Sequence, residues 1–169
     1  MKREELRALQ SPLKKKYKET PEAAIVTLKA KGKISDGISC SVETGRAFAK
    51  AGLHPASGGD GSLVCSGDML LEALVACGGV TMSAVATSMG VNLRDATITA
   101  EGEIDFRGTL AVSKDAPVGF KTIRLNFSLD TDESDEKIFS LMDLTERYCV
   151  IFQTLTKGVA VTTTSDKVQ

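Results

Sequence analysis

The segment from 66 to 90 constrains this chain more than any other, because it is almost free of charge and apolar on every side. It reads SGDMLLEALVACGGVTMSAVATSMG, and after its opening turn it carries one acid, Glu72. A helix that is apolar all round is typical of a buried helix. Cys77 lies in its middle, directly before Gly78 and Gly79. Because a buried cysteine is normally inert, the function depends on whether this thiol packs or reacts.

The composition predicts one globular domain spanning residues 1–169. The chain is 42% apolar and 25% charged, which is ordinary for a domain of this length. The net charge of -1 argues against nucleic acid or an acidic membrane as the main partner. A basic cluster is interpreted as one solvated helix face; it comprises Lys14, Lys15, Lys16 and Lys18.

The sequence indicates a cytoplasmic location. The first ten residues, MKREELRALQ, are charged throughout and unlike a secretory leader. The apolar run at 69–89 is interrupted by Glu72 and two glycines, which disfavours a membrane span. The four cysteines do not form a dense disulfide scaffold, and a reducing cytosol keeps structural thiols reduced. Any disulfide is therefore expected to be transient.

The first third of the chain predicts helices and then strands. Residues 1–20 are expected to form an N-terminal helical extension in two pieces, the second capped by Ser11 and begun by Pro12. The β-branched and apolar residues 23–28 favour a strand. Alternation over 37–43 predicts a half-buried strand with Cys40 facing inward, where a small apolar role suits that residue.

A loop rich in Gly and Ser, residues 54–67, precedes the apolar helix. Either Ser66 or Asp68 is available to cap the helix. The loop also contains His54, which is the one histidine of the chain, and Cys65 near its end.

The second half predicts an antiparallel sheet and an amphipathic helix. Alternating residues at 96–106 and 123–129 indicate two strands, each with one polar face. Ser134 begins a helix whose apolar stripe continues to Cys149 on the core side. Residues 159–163 are expected to form a short closing strand. Strands, buried helix, strands, amphipathic helix and strand together predict an α+β fold rather than regular βαβ winding.

Two features of the helices bear on chemistry. Cys77 and Cys149 are both predicted on inward faces, so they could meet across a shared core, although bridging requires Cα atoms roughly 5 to 6 Å apart. Gly78 and Gly79 each cost a helix on the order of 1 kcal/mol relative to alanine. They therefore indicate a close-packed element or a substrate beside Cys77, or a contact between helices.

The sequence segments that contain these features resemble the OsmC/Ohr family of hydroperoxide reductases over about residues 23–164. The resemblance rests on the helix SGDMLLEALVACGGVTMSAVATSMGV, on EGEIDFRGTL with GFKTIRLNFSLDTD, and on LTERYCVIFQTL. It implies an OsmC-like fold in which antiparallel sheets surround a central pair of helices in an intertwined homodimer, with active sites at the dimer interface.

The resemblance also implies a mechanism and its reactants. Cys77 would be the peroxidatic thiol, oxidised to a sulfenic acid by an organic hydroperoxide with release of the alcohol. Cys149 would resolve it as a disulfide, which a dithiol reductant reopens by exchange. No cofactor and no metal enters this scheme.

The chain departs from the family at the groups that stabilise the reactive thiolate. The family places an arginine there, held by a glutamate ten positions before the helix cysteine, and that position is Gly67 here. Asp68 is the nearest acid, and His54 or Arg46 is a candidate cation. Arg107 and Arg147 are further candidates.

Two other departures concern the partner thiol. Val150 follows Cys149 where better-known members carry proline. Cys65, twelve positions before Cys77, is a second candidate resolving thiol or a packing residue, and about 18 Å of regular helix would separate two such positions.

These observations leave two hypotheses open. The first is a thiol-dependent peroxidase that acts through Cys77 and Cys149; the second is a redox-sensing or small-molecule-binding dimer on the same fold. Metal binding is disfavoured, because Cys40, His54, Cys65 and Cys77 lack the short paired spacings of zinc sites. Signatures of P-loops, dinucleotide sites and Ser-His-Asp triads are absent from the sequence.

Overall fold

The structure is a computed structural model that describes residues 2–20, 31–35, 39–43 and 48–167, and for strand residues before 49 it describes the backbone alone. The helices are α1 (Arg3–Glu19), α2 (Ser66–Met89), α3 (Phe106–Thr109), α4 (Asp135–Tyr148) and α5 (Val150–Lys157). The strands are β1 (Lys31–Ser35), β2 (Ser39–Glu43), β3 (Phe48–Gly52), β4 (Val64–Cys65), β5 (Asp95–Ile104) and β6 (Phe120–Asp130).

The N-terminal extension is one helix, so the prediction of two pieces is wrong. α1 runs without a break through Ser11 and Pro12. A proline inside a helix removes one backbone hydrogen bond and bends the helix without always ending it, and Ser11 therefore does not act as a cap.

Strands β1 to β4 form one sheet in that order, with β1–β2 and β2–β3 antiparallel and β3–β4 parallel. The strand predicted at 37–43 is confirmed as β2, in which Cys40 pairs through its backbone with Ile34 and Ala51. The inward orientation expected for the Cys40 side chain and the strand expected at 23–28 lie outside what the structure describes.

Strands β5 and β6 form the predicted antiparallel pair. Their register places Thr97 opposite Ser128 and Ile98 opposite Phe127, with an irregularity between Glu103 and Ile104. Half-buried and exposed residues alternate along most of both strands. One face of the pair therefore covers the core, as the period-2 pattern requires. β5 ends before Phe106, which begins α3 instead.

The core lies between α2, α4 and the β5–β6 pair. Met82 and Leu141 are almost fully buried there, and Phe127 packs against them from the sheet. Helix α4 begins at Ser134 as predicted, since its hydroxyl oxygen accepts the N–H of Lys137. Val91, directly after the left-handed C-cap residue Gly90, completes this core.

Helix α2 has the predicted span, but within a single chain only one of its sides is buried. The expectation that this helix is buried on every side is therefore wrong for the single chain. Leu74, Gly78, Met82 and Ala86 form the buried face. Ala73, Ala76 and Val80 lie on the opposite side, where Val80 is 73% exposed. α2 is long and apolar enough by composition to cross a membrane, yet its buried face packs on α4, α5 and β5 as a core helix does.

Two local predictions are corrected at the ends of these elements. Cys65 is the N-cap residue of α2 and makes no side-chain capping bond, so neither Ser66 nor Asp68 caps the helix. Residues 158–167 form no strand, and Val159 and Val161 are exposed. A strand needs a neighbouring edge for its backbone hydrogen bonds, and within the described residues none lies beside this segment.

Candidate functional site

The chain brings Cys77 and Cys149 together although 72 positions separate them. Cys77 lies in the middle of α2, and Cys149 lies between α4 and α5, both of which pack against α2. The two thiols are free and lie close enough that each shifts the pKa of the other. Cys77 is half-buried and Cys149 is 1% exposed.

A break between the two C-terminal helices positions Cys149. The residue is extended, with φ -74° and ψ 110°, and it ends α4 and precedes α5 directly. Its N–H donates to the carbonyl of Thr145, and its carbonyl accepts the N–H of Gln153. The helical path is thus interrupted at one residue, and α5 begins there and packs against α2.

The first amides of α5 change the acidity of Cys77. Burial raises the pKa of the thiol, but polar hydrogens at the sulfur outweigh burial, and the net pKa lies below its ordinary value. The groups that lower it are the N–H of Ile151, the thiol of Cys149, the hydroxyl of Thr81 and the N–H of Val150. Since the thiolate is the nucleophilic form, Cys77 is the more reactive thiol of the pair.

The acidity of Cys149 is shifted in the opposite direction. Burial raises its pKa, the N–H of Phe152 lowers it, and the neighbouring Cys77 raises it again, so that the net pKa lies above the ordinary value. When two close thiols titrate together, the first proton leaves the thiol whose thiolate is better stabilised. The pair therefore consists of one thiolate-prone sulfur and one neutral thiol beside it.

The glycines after Cys77 allow α2 to approach the sheet. A Cβ at Gly78 would lie 3.3 Å from Cζ of Phe127, and one at Gly79 would lie 3.5 Å from Cδ1 of Ile98. Of the alternatives that the sequence left open, a close-packed element is therefore the one observed, and it is the β5–β6 pair rather than another helix. This close approach fixes the depth of Cys77 in the domain.

A largely apolar cavity of about 330 Å³ lies between α2, α5 and β6, and neither Cys77 nor Cys149 lines it. Leu74, which lines it, precedes Cys77 by one turn of α2, and Phe152 follows Cys149 by three residues. The remaining wall comes mainly from β6, including Phe120 and Leu125. The cavity is of a size and polarity that suit a small apolar group.

Other residues that the sequence analysis proposed for the site line a second cavity, of about 350 Å³, at the N-terminal end of α2. His54, Cys65 and Asp68 line it, and Cys77 does not. The ring of His54 stacks on Phe106 at 5.0 Å, and its Nδ1 accepts the N–H of Ala56 at 3.0 Å. The structure therefore separates these candidates from the thiol pair within one chain.

Gly67 belongs to this second cavity as well. A Cβ there would lie 3.4 Å from Cζ of Phe120 and 3.6 Å from Sγ of Cys65. Ten residues of helix span about 15 Å, so a side chain at position 67 does not reach Cys77 of the same chain.

The arginines that the sequence offered are engaged elsewhere or lie outside the described residues. Arg107 pairs with Asp105 at 2.6 Å and holds the pKa of that carboxyl at about 2. Arg147 is exposed and lies over the ring of Tyr148 at 5.6 Å. Arg46 falls in an undescribed segment.

Thr81 and the amides of Val150 and Ile151 are the groups at the site that sequence reasoning missed. Thr81 lies one turn after Cys77, a spacing that shares a helix face and could have indicated it. The amides carry no side-chain signal, and only valine in place of proline at position 150 hints that an N–H is present there. Over the described residues, no three His, Cys, Asp or Glu side chains are grouped to hold a metal ion.

A family model described as OsmC-like protein matches residues 59–164, which is more than half of the chain. The chain belongs to the OsmC-like protein family. The resemblance seen in the sequence is thereby confirmed. A comparison with curated proteins finds no match.

Solved structures support the OsmC-like fold. A crystal structure of an OsmC-like protein from Mycoplasma pneumoniae is 17% identical, with TM-score 0.66 over 79% of this chain and 89% of the other. An organic hydroperoxide resistance protein OsmC from Legionella pneumophila is 20% identical, with TM-score 0.60 over 79% and 91%. The organic hydroperoxide resistance protein OhrB of Bacillus subtilis is 15% identical, with TM-score 0.55 over 80% and 94%. The predicted α+β fold of OsmC type is confirmed.

Proposed function

We propose that this OsmC-like protein is a thiol-dependent peroxidase that reduces organic hydroperoxides to alcohols. The observation that carries the proposal is the pair of facing thiols with opposite shifts, in which the pKa of Cys77 is lowered and that of Cys149 is raised. A peroxidase of this kind needs one thiolate to attack and one neutral thiol held nearby to close the disulfide.

The proposed cycle has three steps. The Cys77 thiolate attacks the terminal oxygen of the hydroperoxide, the O–O bond breaks, and the departing alkoxide takes a proton to become the alcohol. The sulfur of Cys149 then attacks the resulting sulfenic acid, forming the disulfide and releasing water. A dithiol reductant restores both thiols by exchange and is itself oxidised to a disulfide.

The largely apolar cavity lined by residues three positions from each cysteine, Leu74 and Phe152, supports an organic rather than an inorganic peroxide as substrate. Leu74, Phe120 and Phe152 offer an apolar carbon chain a surface that hydrogen peroxide would not use. The names of the Legionella and Bacillus proteins, organic hydroperoxide resistance proteins, point to the same substrate class.

A homodimer is part of the proposal. The side of α2 that carries Ala73, Ala76 and Val80 is apolar and exposed, and residues 158–167 form no strand. A second copy would bury the first and pair the second. The cytoplasm, where thiols are kept reduced, is the proposed compartment.

A peroxidase assay tests the proposal. Purified protein with a dithiol reductant is expected to consume an organic hydroperoxide, and Cys77→Ser to abolish this consumption. Cys149→Ser should form the sulfenic acid once without turnover under that reductant. Cys65→Ser, which removes a thiol from the second cavity, is the matched control and should retain the wild-type rate. Consumption that survives Cys77→Ser would contradict the proposal.

A second candidate is a redox sensor, because among the described residues no charged side chain is a main cause of the Cys77 pKa shift. A sensor needs stoichiometric oxidation but no fast cycle. If one equivalent of hydroperoxide forms the disulfide while the wild type shows no sustained consumption, sensing replaces catalysis as the function.

A further inference from the structure

A third cavity, of about 330 Å³, lies between the N-terminal helix α1 and the last turn of α2. It shares no lining residue with the two cavities described above. Cavities of this size are typical of sites for small molecules. Five residues of α1 and one of α2 form its wall: Arg3, Leu6, Arg7, Gln10, Ser11 and Ser88.

One face of α1 supplies most of this wall. The lining positions 3, 6, 7, 10 and 11 recur at the spacing of neighbours on a single helix face. A helix face that serves packing alone is expected to be an apolar stripe. On this face of α1 only Leu6 is apolar, and the other four positions are polar or charged. Their chemistry therefore indicates binding rather than packing.

Two guanidinium groups give the wall its charge. Arg3 and Arg7 lie one turn apart on α1, so their Cβ atoms are separated by about 5 to 6 Å. A guanidinium group stays charged at any ordinary pH, and its planar N–H groups donate in pairs to phosphate oxygens. A phosphate group has three terminal oxygens and a charge between about -1.5 and -2 at neutral pH. It can therefore accept hydrogen bonds from both arginines at once.

The uncharged groups of the wall suit the rest of such a ligand. The amide of Gln10 and the hydroxyls of Ser11 and Ser88 can each donate and accept a hydrogen bond. These are the partners that the hydroxyl groups of a sugar or another polyol need. Leu6 offers an apolar contact to the carbon atoms between them.

The hydrogen bonds at the end of α2 favour an anion beside Ser88. The last carbonyls of a helix carry partial negative charge, which opposes an anion. Here the carbonyl of Ala86 accepts the N–H of Val91 at 2.9 Å. The ammonium group of Lys137 donates to the carbonyl of Gly90 at 3.3 Å. Both bonds reduce the negative potential that the ligand meets at this wall.

We propose that this cavity binds a soluble phosphate ester of a polyhydroxylated compound, such as a sugar phosphate. Arg3 and Arg7 hold the phosphate group, and the amide and hydroxyl groups of the wall hold the polyol. The inference goes beyond the proposed peroxidase and does not rest on it, because the cavity contains neither thiol of the pair. It assigns a binding role to α1, which the peroxidase cycle does not use.

Isothermal titration calorimetry of the full chain tests the proposal, with glucose 6-phosphate as the probe and glucose as the matched compound without phosphate. Glucose 6-phosphate should bind with one molecule per chain. Glucose should bind at least about tenfold more weakly, because the charge-assisted hydrogen bonds to the phosphate are lost. Equal affinities for the two compounds, or no binding of glucose 6-phosphate, would overturn the proposal.

Substitutions in α1 test whether binding occurs in this cavity. Arg7→Ala should weaken the binding of glucose 6-phosphate by about tenfold, and Arg7→Lys by less, since it keeps the charge but loses the paired N–H groups. Lys15→Ala is the matched control: it removes one positive charge from α1 outside the cavity, where Lys15 pairs with Glu19 at 3.9 Å. It should stay within about twofold of the wild type. Equal losses for Arg7→Ala and Lys15→Ala would refute a specific site.

The opposite wall of the cavity provides a test that leaves α1 unchanged. Ser88→Ala removes one hydroxyl from an exposed position of α2 and should lower the affinity for glucose 6-phosphate by about threefold. Unchanged affinity in this variant would show that the ligand does not lie between the two helices, and the proposed site would be wrong.

A phosphate group is also present at a lipid surface, and a sedimentation experiment separates the two sources. Vesicles of phosphatidylcholine with phosphatidic acid should leave the protein in the supernatant, because its net charge of -1 opposes binding to an acidic membrane. Sedimentation with these vesicles that Arg7→Ala abolishes, without calorimetric binding of glucose 6-phosphate, would replace the soluble ligand by a lipid headgroup.

Discussion

The start and the middle of α2 each carry a thiol, and the two surroundings differ in kind. Cys65 at the start shares a cavity with His54 and Asp68, the groups usually sought beside a reactive cysteine. Cys77 in the middle has neither, and the amides that lower its pKa come from another helix. Proximity in sequence to ionisable residues therefore does not identify the activated thiol; what faces the sulfur in three dimensions does.

The most direct test of this difference is to determine which thiol forms a disulfide with Cys77. One equivalent of an organic hydroperoxide should join Cys77 to Cys149, because their sulfurs face each other, and leave Cys65 reduced. Peptide mapping under non-reducing conditions measures the pairing. A disulfide between Cys65 and Cys77 would show that the second cavity takes part in the cycle.

Two leucines one helical turn apart allow the packing of the two regions to be compared through the free energy of unfolding. Leu74 is 2% exposed and packs beside the thiol pair, whereas Leu71 is half-buried and lines the second cavity. Leu74→Ala should lower the free energy of unfolding by about 2 to 5 kcal/mol, and Leu71→Ala by less. Urea titration of both variants measures the difference, and equal losses would mean that the two ends of α2 are packed alike.

The opposite shifts of the thiol pair predict a difference in labelling. Only the thiolate is alkylated, so the lowered pKa of Cys77 makes it react faster than Cys149 at any pH below the ordinary value of about 9. After brief alkylation at pH 7, mass spectrometry of the two peptides should find the label mainly on Cys77. Raising the pH above both values should close the gap.

Unfolding provides the control for this labelling experiment. In concentrated urea the amides no longer face Cys77 and burial no longer affects Cys149, so the two rates should converge. If the ratio of the two alkylation rates persists in urea, the difference is caused by the local sequence and not by the folded site.

The smallest expected effect concerns His54. His54→Ala removes a ring stacked on Phe106 and the acceptor for the N–H of Ala56, which should cost about 1 kcal/mol of stability. Hydroperoxide consumption should stay within about twofold of the wild type. His54→Asn, which keeps an acceptor for the cap, should recover part of the stability, and a large loss of activity in either variant would place His54 at the site.

Much of the fold followed from periodicity. The span of α2, the antiparallel pair β5–β6, and the start of α4 at Ser134 were all predicted, because each depends on local patterns of apolar and polar residues. The closing strand at 159–163 and the cap of α2 were not predicted correctly. Both depend on which neighbours exist, and a pattern of side chains does not report the neighbours of a backbone segment.

For the candidate site, the sequence indicated the two cysteines but not the other groups around them. Cys77 was identified by its place in an apolar helix and by the resemblance to a family, and Cys149 by the stripe of α4. The groups expected to stabilise the Cys77 thiolate included His54 and Asp68, which precede it in sequence, but the structure places both in another cavity.

The sequence by itself determined that an apolar helix would carry a cysteine beside two glycines, because helix propensity and amphipathic period act over a few residues. Only the tertiary structure decided what faces that cysteine. The break at Cys149 begins α5 beside α2, so that amides 73 and 74 positions away in the chain lower the pKa of Cys77. Main-chain amides are the same in almost every residue, so their placement is decided by packing and is not written in any side chain.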